Sequence, residues 1–115
     1  TRCAAAGAGA DSAGAGGGVA LSRGTYVLGI ETSCDDTAAA VVSETGAILG
    51  EKIVSSAELQ AKWGGVVPAL AQQAHAEAID AVVRDTLAQA GLAPSDLAAV
   101  AVTIGPGLSL CLKVG

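Results

Sequence analysis

Within six consecutive positions, Thr32-Ser33-Cys34-Asp35-Asp36-Thr37, the chain sets three hydroxyls, a thiol and two adjacent carboxylates. Such side chains suit a phosphate or a metal–phosphate ligand. Hydroxyls and backbone N–H groups donate to phosphate oxygens, while carboxylates hold a hydrated cation. A hydrophobic core has no use for two carboxylates at one corner, because leaving them buried and unpaired is costly. The residue types alone also fit an ordinary polar hairpin turn. What favours a ligand is the setting, with a β-rich run ending at Ile30 and an apolar run starting at Ala38.

The elements that position this cluster follow from pattern and turn chemistry. Strands are predicted at Tyr26–Ile30, Ala38–Val42 and Ala47–Val54, with Ser43-Glu44-Thr45-Gly46 as a hairpin turn between the last two. Short polar connections make these three an antiparallel meander. A loop containing Trp63-Gly64-Gly65 comes next. Pro68 then opens a helix running to Ala90, with Ile79, Val82, Val83, Leu87 and Ala90 as its inward stripe and Gly91 as its C-cap. Pro94-Ser95-Asp96 is a turn. Ala98–Ile104 is an almost unbroken apolar run, as expected of a parallel strand covered on both faces. Gly105-Pro106-Gly107 forms a tight loop, and a second helix begins at Leu108. The order β-β-β-α-β-α is that of the first half of a ribonuclease-H-like domain, the unit duplicated in actin-like ATPases, where the first hairpin turn cradles phosphates.

Composition narrows the function. The 115 residues carry a net charge of -5, so this segment has no basic footprint for nucleic acid. Its 51% apolar content is Ala, Val, Leu and Ile with almost no aromatics, which favours close helix-on-sheet packing. No apolar run approaches the ~20 residues of a membrane span. Three scattered cysteines, Cys3, Cys34 and Cys111, form neither a CxxC pair nor a disulfide framework and suit a reducing compartment. Residues 1–24 are a Gly/Ala/Ser-rich tract expected to be disordered, either a plain extension or the remnant of an organellar transit peptide. Residues 25–115 are expected to be the N-terminal part of one domain, open at both ends.

Three blocks resemble a known family. Gly29-Ile30-Glu31-Thr32-Ser33-Cys34-Asp35-Asp36-Thr37 is similar to the opening motif of the TsaD/Gcp/Kae family, the tRNA N6-adenosine threonylcarbamoyltransferases once labelled O-sialoglycoprotein endopeptidase. Gly64-Gly65-Val66-Val67-Pro68-Ala69-Leu70-Ala71, with His75 behind it, resembles the second block. Ala101-Val102-Thr103-Ile104-Gly105-Pro106-Gly107-Leu108 resembles the third. Gln72-Gln73 and the Ser109-Leu110-Cys111-Leu112 run look like organellar, plant-type mitochondrial members. The chain departs from the family pattern where a His often precedes the Gly-Gly pair, since Gln60 or a neighbour stands there instead.

The resemblance implies acyl transfer from threonylcarbamoyl-AMP to N6 of the adenosine beside the anticodon of tRNAs reading ANN codons. It assigns Asp35 and Asp36 to catalysis, ordering water, helping bind metal or accepting the N6 proton. Thr32, Ser33 and Thr37, with Gly105 and Gly107, become substrate-binding positions, though Gly-Pro-Gly also serves as a plain strand-to-helix turn. It implies one divalent metal, iron or zinc, with ligands downstream of residue 115, and a homodimer or partner subunits. Residues 1–115 alone are then expected to be inactive and metal-free. A mitochondrial or plastid location is expected, with the cytoplasm as the alternative. His75 reads as a structural, hydrogen-bonded core residue. Competing readings are a sugar- or acetate-kinase-like phosphotransferase, which a missing His-x-x-x-His pair after Gly115 would favour, and a non-catalytic paralogue. Cys34 has no general base beside it in the motif, and nothing provides the Ser–His–Asp set or His-Glu-x-x-His site of a peptidase.

Overall fold

Short polar turns leave a chain no room to cross a sheet, so strands joined by them pair with their neighbours. The computed structural model, which describes residues 2–6 and 25–115, shows this for β2 (Tyr26–Glu31), β3 (Asp36–Ser43) and β4 (Ile48–Ser55). The β2–β3 pair is antiparallel from Tyr26↔Ser43 to Glu31↔Ala38, and β3–β4 from Asp36↔Ser55 to Val42↔Ile48. Two helices follow, α1 (Ala57–Ala61) and α2 (Pro68–Ala90), then a 3-10 turn at Pro94–Asp96. The chain crosses back to β5 (Ala99–Gly105), parallel to β2 from Val27↔Ala99 to Ile30↔Val102, and ends in the short helix α3 (Ser109–Leu112).

One strand lies inside the Gly/Ala-rich leader. Arg2–Ala6 form β1, which pairs antiparallel with β5 and completes a five-stranded sheet in the order β1-β5-β2-β3-β4. That segment departs from the expectation of a wholly unstructured tract. The outer edge of β5 offers a row of unpaired backbone groups, and pairing with it needs no large side chain. The rest of the leader, residues 7–24, lies outside the described residues.

Helix α2 covers one face of the sheet. Leu28, Ala39 and Val41 from the sheet meet Val82 and Leu87 from the helix, and all five are buried. The expected stripe is partly shifted: Ala71, His75, Val82, Thr86 and Leu87 are the buried positions, while Ile79 is only half-buried. Small and polar residues hold the inward row because the helix sits close to the strands. A Cβ on Gly50 of β4 would lie 2.5 Å from the Thr86 carbonyl. Thr86 satisfies its own hydroxyl by donating to the Val82 carbonyl one turn back, at 2.7 Å. Gly91 ends the helix at a φ of 69°, a left-handed conformation that a residue without Cβ adopts readily.

Two further expectations differ. The segment before Trp63 was expected as loop but contains α1, five residues too short for a periodicity signal. β5 is parallel as expected, yet it is mostly half-buried, since among the described residues α2 packs on a single face.

Candidate functional site

Parallel pairing puts the ends of β2 and β5 at the same end of the sheet. The turn Thr32–Asp35 and the loop Pro106–Leu108 are therefore neighbours. The Leu108 N–H donates to the Ser33 carbonyl at 2.8 Å. The approach is close enough that a Cβ on Gly107 would lie 2.7 Å from both the Cβ and the carbonyl oxygen of Ser33. Only glycine fits there.

The turn's next two carbonyls are held as firmly. His75 Nε2 lies 2.9 Å from the Cys34 carbonyl, and Ser56 donates its N–H (3.0 Å) and hydroxyl (2.7 Å) to the Asp35 carbonyl. Ser33, Cys34 and Asp35 thus point three successive carbonyls into the protein, toward the loop after β5, toward α2 and toward the start of α1. A trans peptide sets its N–H opposite its C=O, and the only cis bond among the described residues is Gly105–Pro106. The N–H groups of Cys34 and Asp35 consequently face away from these anchors, and none of the hydrogen bonds among the described residues uses them. N–H groups left unpaired in a turn are available to an anion.

The residues singled out in the sequence divide into two groups. Asp36 is exposed at the start of β3 and Asp35 is half-buried beside it. Ser33 and Gly105 are half-buried, and Gly107 is exposed at the loop. Thr32 and Thr37, in contrast, are 0% and 2% exposed with their hydroxyls turned inward. Thr32 donates to the Cys111 carbonyl at 2.8 Å and accepts the Gly115 N–H at 3.2 Å. Thr37 meets His75 Nδ1 at 2.7 Å. A carbonyl can only accept, so His75 carries its hydrogen on Nε2 and, in the neutral ring, takes the Thr37 hydroxyl hydrogen on Nδ1. His75 is 1% exposed and structural, as the sequence predicts.

Sequence reasoning missed four supports. Ser56 lies in none of the three blocks, and Thr103 lies in the third without a role attached to it. Gln60 stands before the Gly-Gly pair, where the family pattern often has a His: it is buried, its Oε1 accepts the Val67 N–H at 2.8 Å, and its Nε2 has no partner among the described residues. Glu31 lies inside the first motif, and its structural role emerges only from its contacts. Its carboxylate accepts the Ser33 N–H on one oxygen and the Thr103 hydroxyl on the other, the latter at 2.6 Å. Burial by itself would raise its pKa. Hydrogen bonds from Ser33 and Thr103, with a smaller contribution from the nearby His75, outweigh that and hold the carboxyl below the ordinary range. Burial, with Cys34 nearby, pushes the Cys111 thiol up, which keeps it inert. Among the described residues no group of three His, Cys, Asp or Glu side chains converges as a metal site, and no helix is long and apolar enough to cross a membrane.

Comparison with known proteins gives this geometry a context. Residues 47–115 match the family model "TsaD: tRNA N6-adenosine threonylcarbamoyltransferase". An Arabidopsis thaliana protein named "Probable tRNA N6-adenosine threonylcarbamoyltransferase, mitochondrial" is 64% identical over 89 residues, covering 77% of this chain and 18% of that protein. A human protein named as the mitochondrial tRNA N6-adenosine threonylcarbamoyltransferase is 61% identical over 89 residues, covering 77% of this chain and 22% of its own length. The chain thus spans about a fifth of these relatives. Among solved structures, YeaZ from Pseudomonas aeruginosa superposes with a TM-score of 0.56 at 28% identity, over 78% of this chain and 34% of that one. This likeness supports the ribonuclease-H-like, actin-like fold.

Two predictions follow from the hydrogen bonds at the turn. His75→Ala leaves the Cys34 carbonyl and the Thr37 hydroxyl without their buried partner. It should cost the full-length protein about 1–3 kcal/mol, read as a lower melting temperature; an unchanged value contradicts the anchoring role. The second concerns acid. Because the folded-state pKa of Glu31 is lowered, its stabilisation is present above the unfolded value of about 4.3 and is lost as pH falls through the folded value. Glu31→Gln should therefore flatten the loss of stability below about pH 4, measured by denaturant titration across pH. A parallel profile in both proteins contradicts it.

Proposed function

The chain belongs to the TsaD family of tRNA N6-adenosine threonylcarbamoyltransferases, and on that premise we propose that its Thr32–Asp36 turn serves transfer of a threonylcarbamoyl group from threonylcarbamoyl-AMP to N6 of a tRNA adenosine. The observation that carries this is the capture of three successive carbonyls, which turns the Cys34 and Asp35 N–H groups outward beside two accessible carboxylates.

In this reaction N6 attacks the carbamoyl carbon. The N6–C bond forms, the C–O bond to the adenylate phosphate breaks with its electron pair, and N6 gives up a proton. Each part of the turn has a task in that sequence. The outward N–H groups receive phosphate oxygens of the adenylate, with Ser33 beside them. Asp35 and Asp36 stand where one carboxylate takes the N6 proton, directly or through an ordered water. Gly105 presents no side chain to the open space beside it, so the substrate reaches its backbone, and Gly107 lets the adjoining loop close on Ser33. Thr32 and Thr37 act through the backbone they hold, since their hydroxyls are already engaged. Holding both substrates in place supplies much of the rate.

The metal that the family resemblance implies does not fit the described residues, which offer no ligand cluster. Its ligands are placed beyond residue 115. The Lys and Arg that grip tRNA are proposed to lie outside this segment, which carries a net charge of -5. The two relatives described above are named as mitochondrial, and the same compartment is proposed for this protein.

In the full-length protein, Asp35→Ala and Asp36→Ala should each reduce threonylcarbamoyl transfer strongly while moving stability by only about 0.5 kcal/mol. Asp36 is exposed, and Asp35 anchors the turn through its carbonyl, which the substitution keeps. Unchanged rates in both variants would return the turn to a structural role. Fusing the complete N-terminus to a fluorescent reporter should direct it to mitochondria; a diffuse cytosolic signal would remove the compartment but leave the reaction.

A further inference from the structure

Among the described residues, Glu31 is the one acidic side chain of the first motif whose carboxylate accepts hydrogen bonds. It closes β2, and its two oxygens join the Ser33 N–H at the start of the turn to the Thr103 hydroxyl near the end of β5, 72 residues further along the chain from Glu31. Thr103 is itself buried, 5% exposed, and Glu31 is half-buried beside it. On the other face of the sheet, His75 holds the next carbonyl of the same turn.

From this arrangement we propose that Glu31 is a positioning residue: by tying Ser33 to Thr103 it sets the first peptide of the turn and couples it to the Gly105–Gly107 loop, so that both loops present one fixed surface to the substrate. The inference rests on the proposed transfer reaction for its kinetic consequence, but not for its structural one.

The chemistry separates positioning from direct catalysis. Both oxygens of Glu31 already accept hydrogen bonds, which leaves the carboxylate a poor base toward an N6 proton. The bonding pattern, however, does not require a charge. A glutamine at position 31 would accept the Ser33 N–H with its amide oxygen and donate its NH₂ to the Thr103 hydroxyl oxygen, which accepts as readily as it donates. An alanine can do neither. A positioning role therefore predicts that Glu31→Gln keeps what Glu31→Ala loses.

The test uses the full-length protein and two readouts. The first is amide hydrogen exchange over residues 33–35, which is independent of any reaction. Glu31→Ala should speed exchange at Ser33 by about tenfold, the equivalent of one lost hydrogen bond. Glu31→Gln should leave it near the unsubstituted protein. The second is transfer from threonylcarbamoyl-AMP to tRNA, with kcat and KM separated. Misplacing the turn should lower kcat by ~10²-fold in Glu31→Ala, with Glu31→Gln within a few-fold of the unsubstituted enzyme. Thr103→Val should reproduce part of the loss and Thr103→Ser restore it, which covers the case in which Glu31→Ala does not fold.

Glu31→Gln falling as far as Glu31→Ala in kcat, with normal exchange at Ser33, would mean that the charge itself meets the reacting groups and would overturn the proposal. Unchanged exchange in Glu31→Ala would overturn it as well. Should the unsubstituted protein not transfer threonylcarbamoyl at all, the proposed reaction fails, and the exchange pattern alone decides the positioning role.

Discussion

Parallel pairing of β2 with β5 is the constraint on which the site depends. A parallel ladder brings the carboxyl ends of both strands to the same edge, so the Thr32–Asp35 turn and the Pro106–Leu108 loop meet there. Such pairing requires a crossover, because a tight turn can only reverse direction. Helix α2 supplies it, and in doing so covers the sheet face from which His75 reaches the turn. One topological requirement thus accounts for the helix, for the meeting of the two loops and for the buried imidazole behind the turn.

The turn then owes its shape to backbone satisfaction more than to its own side chains. A hydrogen bond adds only about 0.5–1.5 kcal/mol of net stability, but leaving a buried carbonyl unpaired costs more, so the partners dictate the conformation. Leu108, His75 and Ser56 arrive from three different elements and each takes one carbonyl. With the carbonyls committed inward, peptide planarity leaves the intervening N–H groups no other direction than outward. The outward N–H groups of the turn are a consequence of what happens on its buried side. Glu31 adds a fourth anchor, on the amide that precedes the outward pair.

Close packing makes these reaches possible. A histidine side chain spans the gap from α2 to the turn because the helix lies close against β3 and β4, where Gly50, Ala39 and Ala71 leave it room. The abundance of Ala and Gly in this chain is therefore a packing requirement. The same economy of volume brings Gly107 against Ser33. Larger residues at any of these places would separate the elements and lengthen the hydrogen bonds that shape the turn.

Sequence alone determined the strands of the meander, the limits of α2 from Pro68 to Ala90, the parallel strand after it and the position of the polar turn. Each rests on local rules of turn chemistry, capping and periodicity, which act over a few residues and are therefore visible in them. It also marked His75 as a core residue from its spacing along the helix. The tertiary structure decided which of the turn's hydroxyls face inward. Thr32, Ser33 and Thr37 look alike in sequence, yet Thr32 binds the Cys111 carbonyl 79 residues away and Thr37 binds His75 at 38. It likewise revealed the bridge from Glu31 to Thr103, the pairing of Arg2–Ala6 with β5, and Thr86 in place of Ile79 on the buried row of α2. A hydrogen bond between distant residues leaves no local trace, because neither residue type nor spacing encodes which partner the fold will bring within 3 Å.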